Sequence, residues 1–384
     1  MPGDIYEQLL QIPQTQLVEL ALAGLSRQGE MLAKVVEHVQ GQLDDMAGWK
    51  ACPTVQRIYL VGCGDSYFAA LSARFACEQL SGLPTVALES MEFARYTQVP
   101  PDSLVFVISS GGEVTMTLEA GRVARQAGID VIGITTQKDS HLAQEFPCLA
   151  TLPDQSGGDP VEQVAVILGN FSFSLAALYL TAMHVGQRRG HLDDKTVDKR
   201  KAEIRAASEA VKRAIRCSTR VHAYLENVSD EADFYFLGAG PSYGVALFCQ
   251  AKFFEQAQRP VYGVELEEFA HEQFFLLRPG GDAQVWFIVP VGHSRARALE
   301  VMAGCREMGA HVIAVTDSRD DQMREKADLA FPVEATSEMF SPLASVVPGE
   351  LLGIHALGRW GGGSSFASKR RHLMAISKQL TREG

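Results

Sequence analysis

The chain has 384 residues, of which 46% are hydrophobic and 21% are charged, a composition typical of globular proteins and a length sufficient for two domains. Its formal net charge of −11 disfavours nucleic-acid binding, and apolar runs such as residues 176–183 are too short to span a membrane. The seven cysteines form no C-x-x-C pair, which favours reduced thiols in the cytoplasm over a disulfide framework or a zinc site.

The first predicted elements are two helices within residues 5–46, interrupted near Pro13. The residues at the N-terminus include acidic side chains where a secretory signal carries basic ones. The segment is therefore expected to belong to the mature protein.

The chain then repeats one pattern. IYLVGCGDSYFAAL (58–71) matches FYFLGAGPSYGVAL (234–247), and LPTVALESMEFAR (83–95) matches RPVYGVELEEFAH (259–271). Each copy has an apolar strand run, a G-x-G-x-S-Y loop and a helical pattern. Because many independent positions agree, the sequence predicts two copies of one α/β unit.

Within each copy, apolar runs alternate with amphipathic stretches such as residues 117–127 and 296–308. This alternation predicts parallel sheets with helices on both faces, a flavodoxin-like three-layer α/β/α arrangement. The predicted segments are N-terminal helices at 1–50, a first α/β unit at 51–190, a helical linker at 191–230, a second α/β unit at 231–340, and a C-terminal helix and tail at 341–384.

The loops that follow the predicted strands are candidate ligand sites, because ligands bind beyond the carboxyl ends of strands in open α/β sheets. GCGDSY, after Val61, does not match a dinucleotide-binding motif, since Tyr67 stands at the third glycine position. VISSGGEVTMT (107–117) runs from a strand into a helix start, where backbone N–H groups can hold an anion. The alternative for each loop is that its glycines only permit a tight turn.

These motifs resemble the sugar isomerase (SIS) domain. The pattern from about Ile5 to about Trp360 is similar to the isomerase half of glucosamine-6-phosphate synthase and to the stand-alone fructosamine-6-phosphate deglycases. The resemblance implies two tandem SIS subdomains, of which the first holds a sugar phosphate. It assigns substrate or phosphate binding to Asp65, Ser66, Ser109, Ser110, Gly112 and Glu113.

Two hydroxyls of the family's anion loop are missing, because Gly111 replaces a serine and Val114 replaces a threonine. Residues 167–169, Ile-Leu-Gly, also replace a common Ser-Thr-Lys run. Either Thr115, Thr117 and backbone N–H groups rebuild the phosphate site, or the substrate is unphosphorylated or differently charged.

The second copy carries candidate catalytic residues that the first copy lacks. Glu255 and His271 are separated by 16 residues (271 − 255), as are the catalytic glutamate and histidine of SIS isomerases. Lys252 and Glu268 each stand three residues before one of them, at family positions. The alternative for each residue alone is a solvated glutamate or a structural histidine.

Roles for these residues follow from the chemistry of aldose–ketose conversion. One carboxylate can move a proton between C1 and C2, and we assign this step to Glu255. Opening the sugar ring requires a group that titrates near pH 7, which His271 provides. The resemblance implies that His271 reaches the site from a neighbouring subunit of a homodimer, with Lys252 and Glu268 as supporting residues.

The C-terminal tail resembles a family segment that brings a lysine to the site. Here RRHLMAISK has Ala375 at the lysine position, and Lys378 is the substitute candidate for imine formation. The basic run at 369–372 is predicted to be a solvated helix face. No metal-ligand spacing is present, so neither a metal nor another cofactor is expected.

The expected activity is that of a deglycase, which releases an amine from a fructosamine (a 1-amino-1-deoxyketose) or its 6-phosphate. Pro2 stands where glucosamine-6-phosphate synthase requires a cysteine, so synthesis from glutamine is not expected. The alternatives are an aminosugar-phosphate deaminase or isomerase, and a non-catalytic sugar-phosphate-binding regulator. The expected partners are the sugar-amine substrate and a second copy of the chain, in the cytoplasm and without nucleic acid or membrane.

Overall fold

A computed structural model describes residues 9, 12–45, 54–153, 158–290, 292–334 and 337–361. Two helices precede the first sheet, α1 (Gln14–Ser26) and α2 (Gln28–Asp45). Pro13 directly precedes α1, as predicted, because a proline lacks the N–H that a helix interior needs. A further break at Arg27, which the sequence pattern did not indicate, separates α1 from α2.

The first copy forms a five-stranded parallel sheet with the order β2-β1-β3-β4-β5. Its elements are β1 (Arg57–Gly62), α3 (Asp65–Ser81), β2 (Thr85–Glu89), α4 (Ser90–Tyr96), β3 (Ser103–Ile108), α5 (Thr115–Gln126), β4 (Asp130–Thr135), α6 (His141–Glu145) and β5 (Cys148–Ala150). Gly62 pairs with both Glu89 and Ile108. The loops that follow β1, β2 and β3 therefore start at one edge of the sheet.

The second copy has the same topology, with the order β10-β9-β8-β6-β7. Its elements are β6 (Asp233–Gly238), α10 (Pro241–Gln256), β7 (Val261–Glu265), α11 (Leu266–His271), β8 (Ala283–Ile288), α12 (Arg295–Glu307), β9 (His311–Asp317), α13 (Asp321–Lys326) and β10 (Leu329–Val333). All of its strand pairs are parallel. The predicted fold, two tandem parallel sheets flanked by helices, is confirmed.

A long helix, α7 (Pro160–Arg188), corrects one prediction. It contains an 18-residue window with a mean hydropathy of 1.8, so the statement that no apolar run reaches membrane-spanning length is wrong. However, 83% of that window is buried inside the protein, where α7 packs against α1, α2 and α3. The apolar surface of α7 therefore belongs to the core, as expected for a helix that is apolar on all sides.

The segments between and after the sheets are helical. The charged linker forms α8 (Asp194–Ala214) and α9 (Ser218–Glu226), and the chain ends, within the residues described, with α14 (Pro342–Ser345) and α15 (Val347–Trp360).

Helix α10 of the second copy contacts both α3 of the first copy and α15. A Cβ atom added at Gly244 of α10 would lie 2.2 Å from the Phe68 carbonyl oxygen and 2.3 Å from Ser72 Oγ in α3. A Cβ atom added at Gly349 of α15 would lie 2.1 Å from Cys249 Sγ. The missing side chains permit both close approaches, which bring residues of the two copies into one site.

Candidate active site

An ionic cluster joins the two copies. Lys252 Nζ donates hydrogen bonds to Asp65 Oδ2 at 2.8 Å and to Glu255 Oε2 at 2.7 Å. The Lys252 side chain is only 12% exposed and its ammonium lies 5.0 Å from the centre of the Phe248 ring. Burial opposes the charge, yet the Asp65 and Glu255 carboxylates raise the pKa of Lys252 above its usual value. The cluster therefore holds a permanent cation between two carboxylates.

Helix ends supply both carboxylates of the cluster. Gly64, with φ +54°, turns the chain from β1 into α3, and Asp65 is the first residue of that helix. Glu255 lies in the last turn of α10 and is 34% exposed. Lys252 precedes it by one helical turn, so that the two side chains share one face. The predicted association of Lys252 with Glu255 is present, and Asp65 joins them.

The first-copy loops bring two predicted serines to the same edge of the sheet. Ser66 is the second residue of α3, and Ser109 directly follows β3, the neighbour of β1. Both are buried, and Ser109 Oγ has no hydrogen-bond partner among the described residues. A buried hydroxyl without a partner points to a ligand or an ordered water, because leaving it unpaired costs free energy.

Helix α5 begins at this loop and presents an open N-terminus. Its N-cap residue is Val114, whose side chain accepts no hydrogen bond and is exposed. The first backbone N–H groups of a helix have no partners within the helix and favour an anion. This end of α5 is therefore a candidate anion site of the first copy.

The rest of the loop is held by structural contacts. The Ser110 carbonyl oxygen accepts hydrogen bonds from Thr135 and Thr136. Gly112 has φ +66°, and a Cβ atom there would lie 2.0 Å from Ser140 Oγ. The substrate roles predicted for Ser110 and Gly112 stay predictions, and these contacts give both residues a clear part in shaping the loop.

Two further candidate binding residues near the loop, Glu113 and Thr117, have protein partners. The Glu113 carboxylate accepts a hydrogen bond from the His141 backbone N–H at 3.1 Å and pairs with the His141 ring. Thr117, considered as a replacement donor, is buried and bonded to Ser90 at 3.0 Å. The Glu113 contact ties the anion loop to α6, and its predicted substrate role stays a prediction.

The predicted histidine is not joined to the ionic cluster within one chain. His271 ends α11, its side chain is 67% exposed, and it contacts Glu267 at 3.3 Å. Glu268, on the same short helix, is also exposed. Among the described residues, neither has a hydrogen bond or ion pair to Lys252 or Glu255. Lys378 and the basic run at 369–372 lie outside the described residues.

A buried carboxyl that the sequence did not indicate lies on α15. Glu350 is 2% exposed and accepts a hydrogen bond from Gln28 Nε2 at 3.0 Å. Its charge interacts with both Lys252 and Asp65. The only sequence signal is one glutamate in an otherwise apolar helix, which is insufficient because helix spacing alone does not show which neighbour covers it.

The described residues bring together no group of three or more His, Cys, Asp or Glu side chains able to hold a metal ion. Their cysteines are all free thiols. The groups described above at the candidate site are carboxylates, a lysine, hydroxyls and backbone N–H groups.

Comparison with known proteins identifies the same two segments as the internal repeat. The SIS domain family model matches residues 54–176 and 228–357. The chain is 30% identical over 339 residues to glutamine–fructose-6-phosphate aminotransferase (isomerizing) of Tropheryma whipplei strain TW08/27, covering 87% of this chain and 52% of the relative. The enzyme of that name from Gloeobacter violaceus is 27% identical over 310 residues, which cover 80% of this chain and 50% of the relative. The chain thus spans about half the length of the curated relatives it matches.

Solved structures share the fold. The C-terminal domain of glucosamine-fructose-6-phosphate aminotransferase from Francisella tularensis superposes with a TM-score of 0.78 at 20% identity, covering 91% of this chain and 96% of that one. Glucosamine-6-phosphate deaminase from Thermotoga maritima gives a TM-score of 0.64 at 20% identity, with coverages of 88% and 94%. At 20% identity, these superpositions establish that the chain shares the fold of the two proteins.

Proposed function

The chain belongs to the SIS domain family, and from that premise we propose that it is an isomerase-type enzyme that transfers a proton between C1 and C2 of an amino sugar. Within that class we propose a deglycase, which releases an amine from a fructosamine 6-phosphate in preference to the unphosphorylated fructosamine. The observation that carries the proposal is the Lys252 ammonium, which pairs Glu255 with Asp65. This pairing brings a candidate base from the second copy to the start of α3, and the loop after β3 starts from the strand next to β1.

The proposed reaction needs Glu255, His271 and water. Glu255 takes a proton from C1 of the 1-amino-1-deoxyketose, and the C1–H electron pair forms an enolamine as the C2 carbonyl oxygen takes up a proton. Return of a proton to C2 then gives a C1 imine. Water adds to this imine, the C1–N bond breaks, and the amine and the aldose leave. A single carboxylate can serve both carbon centres because it is a proton acceptor in one step and a donor in the next.

The anionic end of the substrate is assigned to the open N-terminus of α5. Ser66 and Ser109 lie at the same sheet edge, and the unpartnered Ser109 hydroxyl is available as a donor. Backbone N–H groups, the helix dipole and hydroxyls together favour a phosphate at such a site. The names of the relatives, which combine amino transfer and isomerisation of fructose 6-phosphate, support a phosphorylated amino or keto sugar.

Replacing Gly111 with serine tests the anion assignment. A Cβ atom at Gly111 meets nothing within 4 Å, so the added hydroxyl fits the loop. One hydrogen bond to a phosphate contributes about 1.5 kcal/mol or more, so Gly111→Ser should lower KM for a fructosamine 6-phosphate about tenfold. Amine release should be measured for fructosyl-amino acids with and without the 6-phosphate, and for glucosamine 6-phosphate.

Gly41→Ser is the matched control, because a Cβ atom at Gly41 on α2 also meets nothing within 4 Å. Gly41→Ser should leave KM unchanged for fructosyl-amino acids both with and without the 6-phosphate. Ammonia release from glucosamine 6-phosphate alone would favour a deaminase over a deglycase. Binding of these sugars without turnover would favour a non-catalytic regulator, and an equal effect of Gly111→Ser on unphosphorylated substrates would contradict phosphate binding at the loop.

We propose that His271 enters the site of a second copy of the chain, where it protonates the ring oxygen of the sugar. Its ring is exposed and separate from the cluster in one chain. Large apolar side chains directly after it, Phe275 and Leu276, are also exposed, and exposed apolar side chains of this kind favour burial against another surface.

Mixing two inactive variants tests this shared site. In a heterodimer of His271→Ala with Glu255→Gln, one site carries both changes and the other carries neither. Random subunit exchange should therefore restore about a quarter of the wild-type activity per site, since half of the dimers are mixed and half of their sites are intact. Activity should be measured after exchange of the purified variants.

Mixtures of either variant with itself, taken through the same exchange, should stay inactive. Recovery of no activity, with exchange verified by a mass-tagged subunit, would place His271 in the site of its own chain or outside catalysis.

A further inference from the structure

The buried carboxyl of Glu350 has one satisfied oxygen and one unsatisfied oxygen. Oε1 accepts the hydrogen bond from Gln28 Nε2, whereas Oε2 is buried without a hydrogen-bond partner among the described residues. A charged carboxylate in this position would be costly, because a buried charge requires several donors or a direct counter-ion. A protonated carboxyl needs only one acceptor or a water molecule.

Helix packing places this carboxyl close to the stem of Lys252. Gly349, next to Glu350, packs against Cys249, and a Cβ atom added at Gly353, one turn later, would lie 3.4 Å from Lys252 Cβ. Glu350 is thus buried on the helix that packs against the Lys252 turn of α10, near enough for its charge to interact with that of Lys252.

The electrostatic surroundings of Glu350 come from three elements. The pKa of Glu350 is raised to about 8: burial has the largest effect, the Gln28 bond on α2 and the Lys252 charge on α10 oppose it, and Asp65 on α3 adds to it. The Cys249 thiol on α10 also faces this group, and burial together with Glu350 raises the pKa of that thiol. At neutral pH the carboxyl therefore carries its proton.

We propose that Glu350 is a positioning residue. By holding a proton near Lys252, it stays neutral and leaves the Lys252 ammonium hydrogen-bonded to Asp65 and Glu255. The role of Glu255 in this inference rests on the proposed function, whereas the proton on Glu350 does not. With Glu350 neutral, two carboxylates and one ammonium give the cluster one net negative charge. Ionisation of Glu350 adds a second negative charge, which draws the ammonium away from Glu255 and repels an anionic substrate.

The sign of the pH dependence follows from the direction of the pKa shift. Because the pKa of Glu350 is raised in the folded protein, the favourable neutral form is present at low pH and is lost as the pH rises through the folded value. The pH–rate profile should therefore have a basic limb centred near pH 8.

Glu350→Gln, an isostere that stays neutral and keeps an acceptor for Gln28, provides the test. Infrared spectra of the wild type should show a protonated carboxyl band at pH 7 that disappears on titration through about pH 8 and is absent in Glu350→Gln. The basic limb, normalised to the maximum of each protein, should also be absent in this variant. Gln28→Leu removes a bond that lowers the pKa, so it should move both the band and the limb to higher pH.

Glu209→Gln, a change at a surface ion pair with Lys212, should alter neither the band nor the limb. Absence of the band from the wild type at pH 7 would overturn the proton assignment, and a basic limb identical in wild type and Glu350→Gln would overturn the positioning role. Lack of turnover of every substrate would count against the proposed function, and the infrared titration would still decide whether Glu350 holds the proton.

Discussion

Glu255→Gln should lower kcat by about 10²–10⁴-fold, the usual contribution of a general base. The amide oxygen of glutamine can still accept the Lys252 hydrogen bond, so the side chain is expected to stay in place. It cannot take a proton from C1, however, and the effect should fall on kcat with little change in KM. Steady-state amine release would measure kcat and KM, and calorimetry would measure sugar binding directly, so that a loss of proton transfer can be distinguished from a loss of substrate binding.

Glu307→Gln is the matched control for this substitution, since Glu307 also ends a helix and is exposed. It should retain full activity. A loss smaller than tenfold in Glu255→Gln would contradict the assignment of Glu255 as the base and would transfer the proton-moving role to another group.

The duplicated α/β fold could be predicted from sequence because its evidence is local and repeated. Each strand run is followed by a matching glycine loop, and the residues that pair at the sheet edge, such as Gly62 with Glu89, recur as Gly238 with Glu265. The apolar length of α7 was underestimated because only unbroken apolar runs were counted, whereas an 18-residue average of 1.8 tolerates scattered polar residues such as Ser172 and Ser174. Tertiary packing decides only that this apolar surface belongs to the core.

The sequence indicated individual residues of the candidate site, but it did not indicate how they are arranged in space. Lys252 and Glu255 were both singled out, and their spacing of three residues on one helix is consistent with the contact that the structure shows. The addition of Asp65 depends on α3 crossing α10, which in turn depends on the close packing at Gly244. Glu350 lies almost a hundred residues further along the chain, and only the fold places it near Lys252.

The ionic cluster should be essential for stability as well as for catalysis. Lys252→Met keeps the volume and the apolar stem but leaves Asp65 and Glu255 without their shared cation. Removing one partner of a fully buried ion pair costs about 3–5 kcal/mol, but Asp65 and Glu255 are 29% and 34% exposed, so the free energy of unfolding at pH 8 should fall by more than about 1 and less than about 3 kcal/mol. Denaturant titration with linear extrapolation measures it, and Lys212→Met, at an exposed pair with Glu209, should cost no more than about 1 kcal/mol.

Protonation and a second substitution should both relieve this loss. Two carboxylates without a cation take up protons more readily, so the destabilisation in Lys252→Met should be smaller at pH 5 than at pH 8. Asp65→Asn in the same chain removes one of the unpaired charges and should recover part of the free energy, which a double-mutant cycle measures as a coupling between the two sites. An equal loss at both pH values and strict additivity would mean that Lys252 stabilises the junction by its packing on Phe248 and α15, with no contribution from the charge.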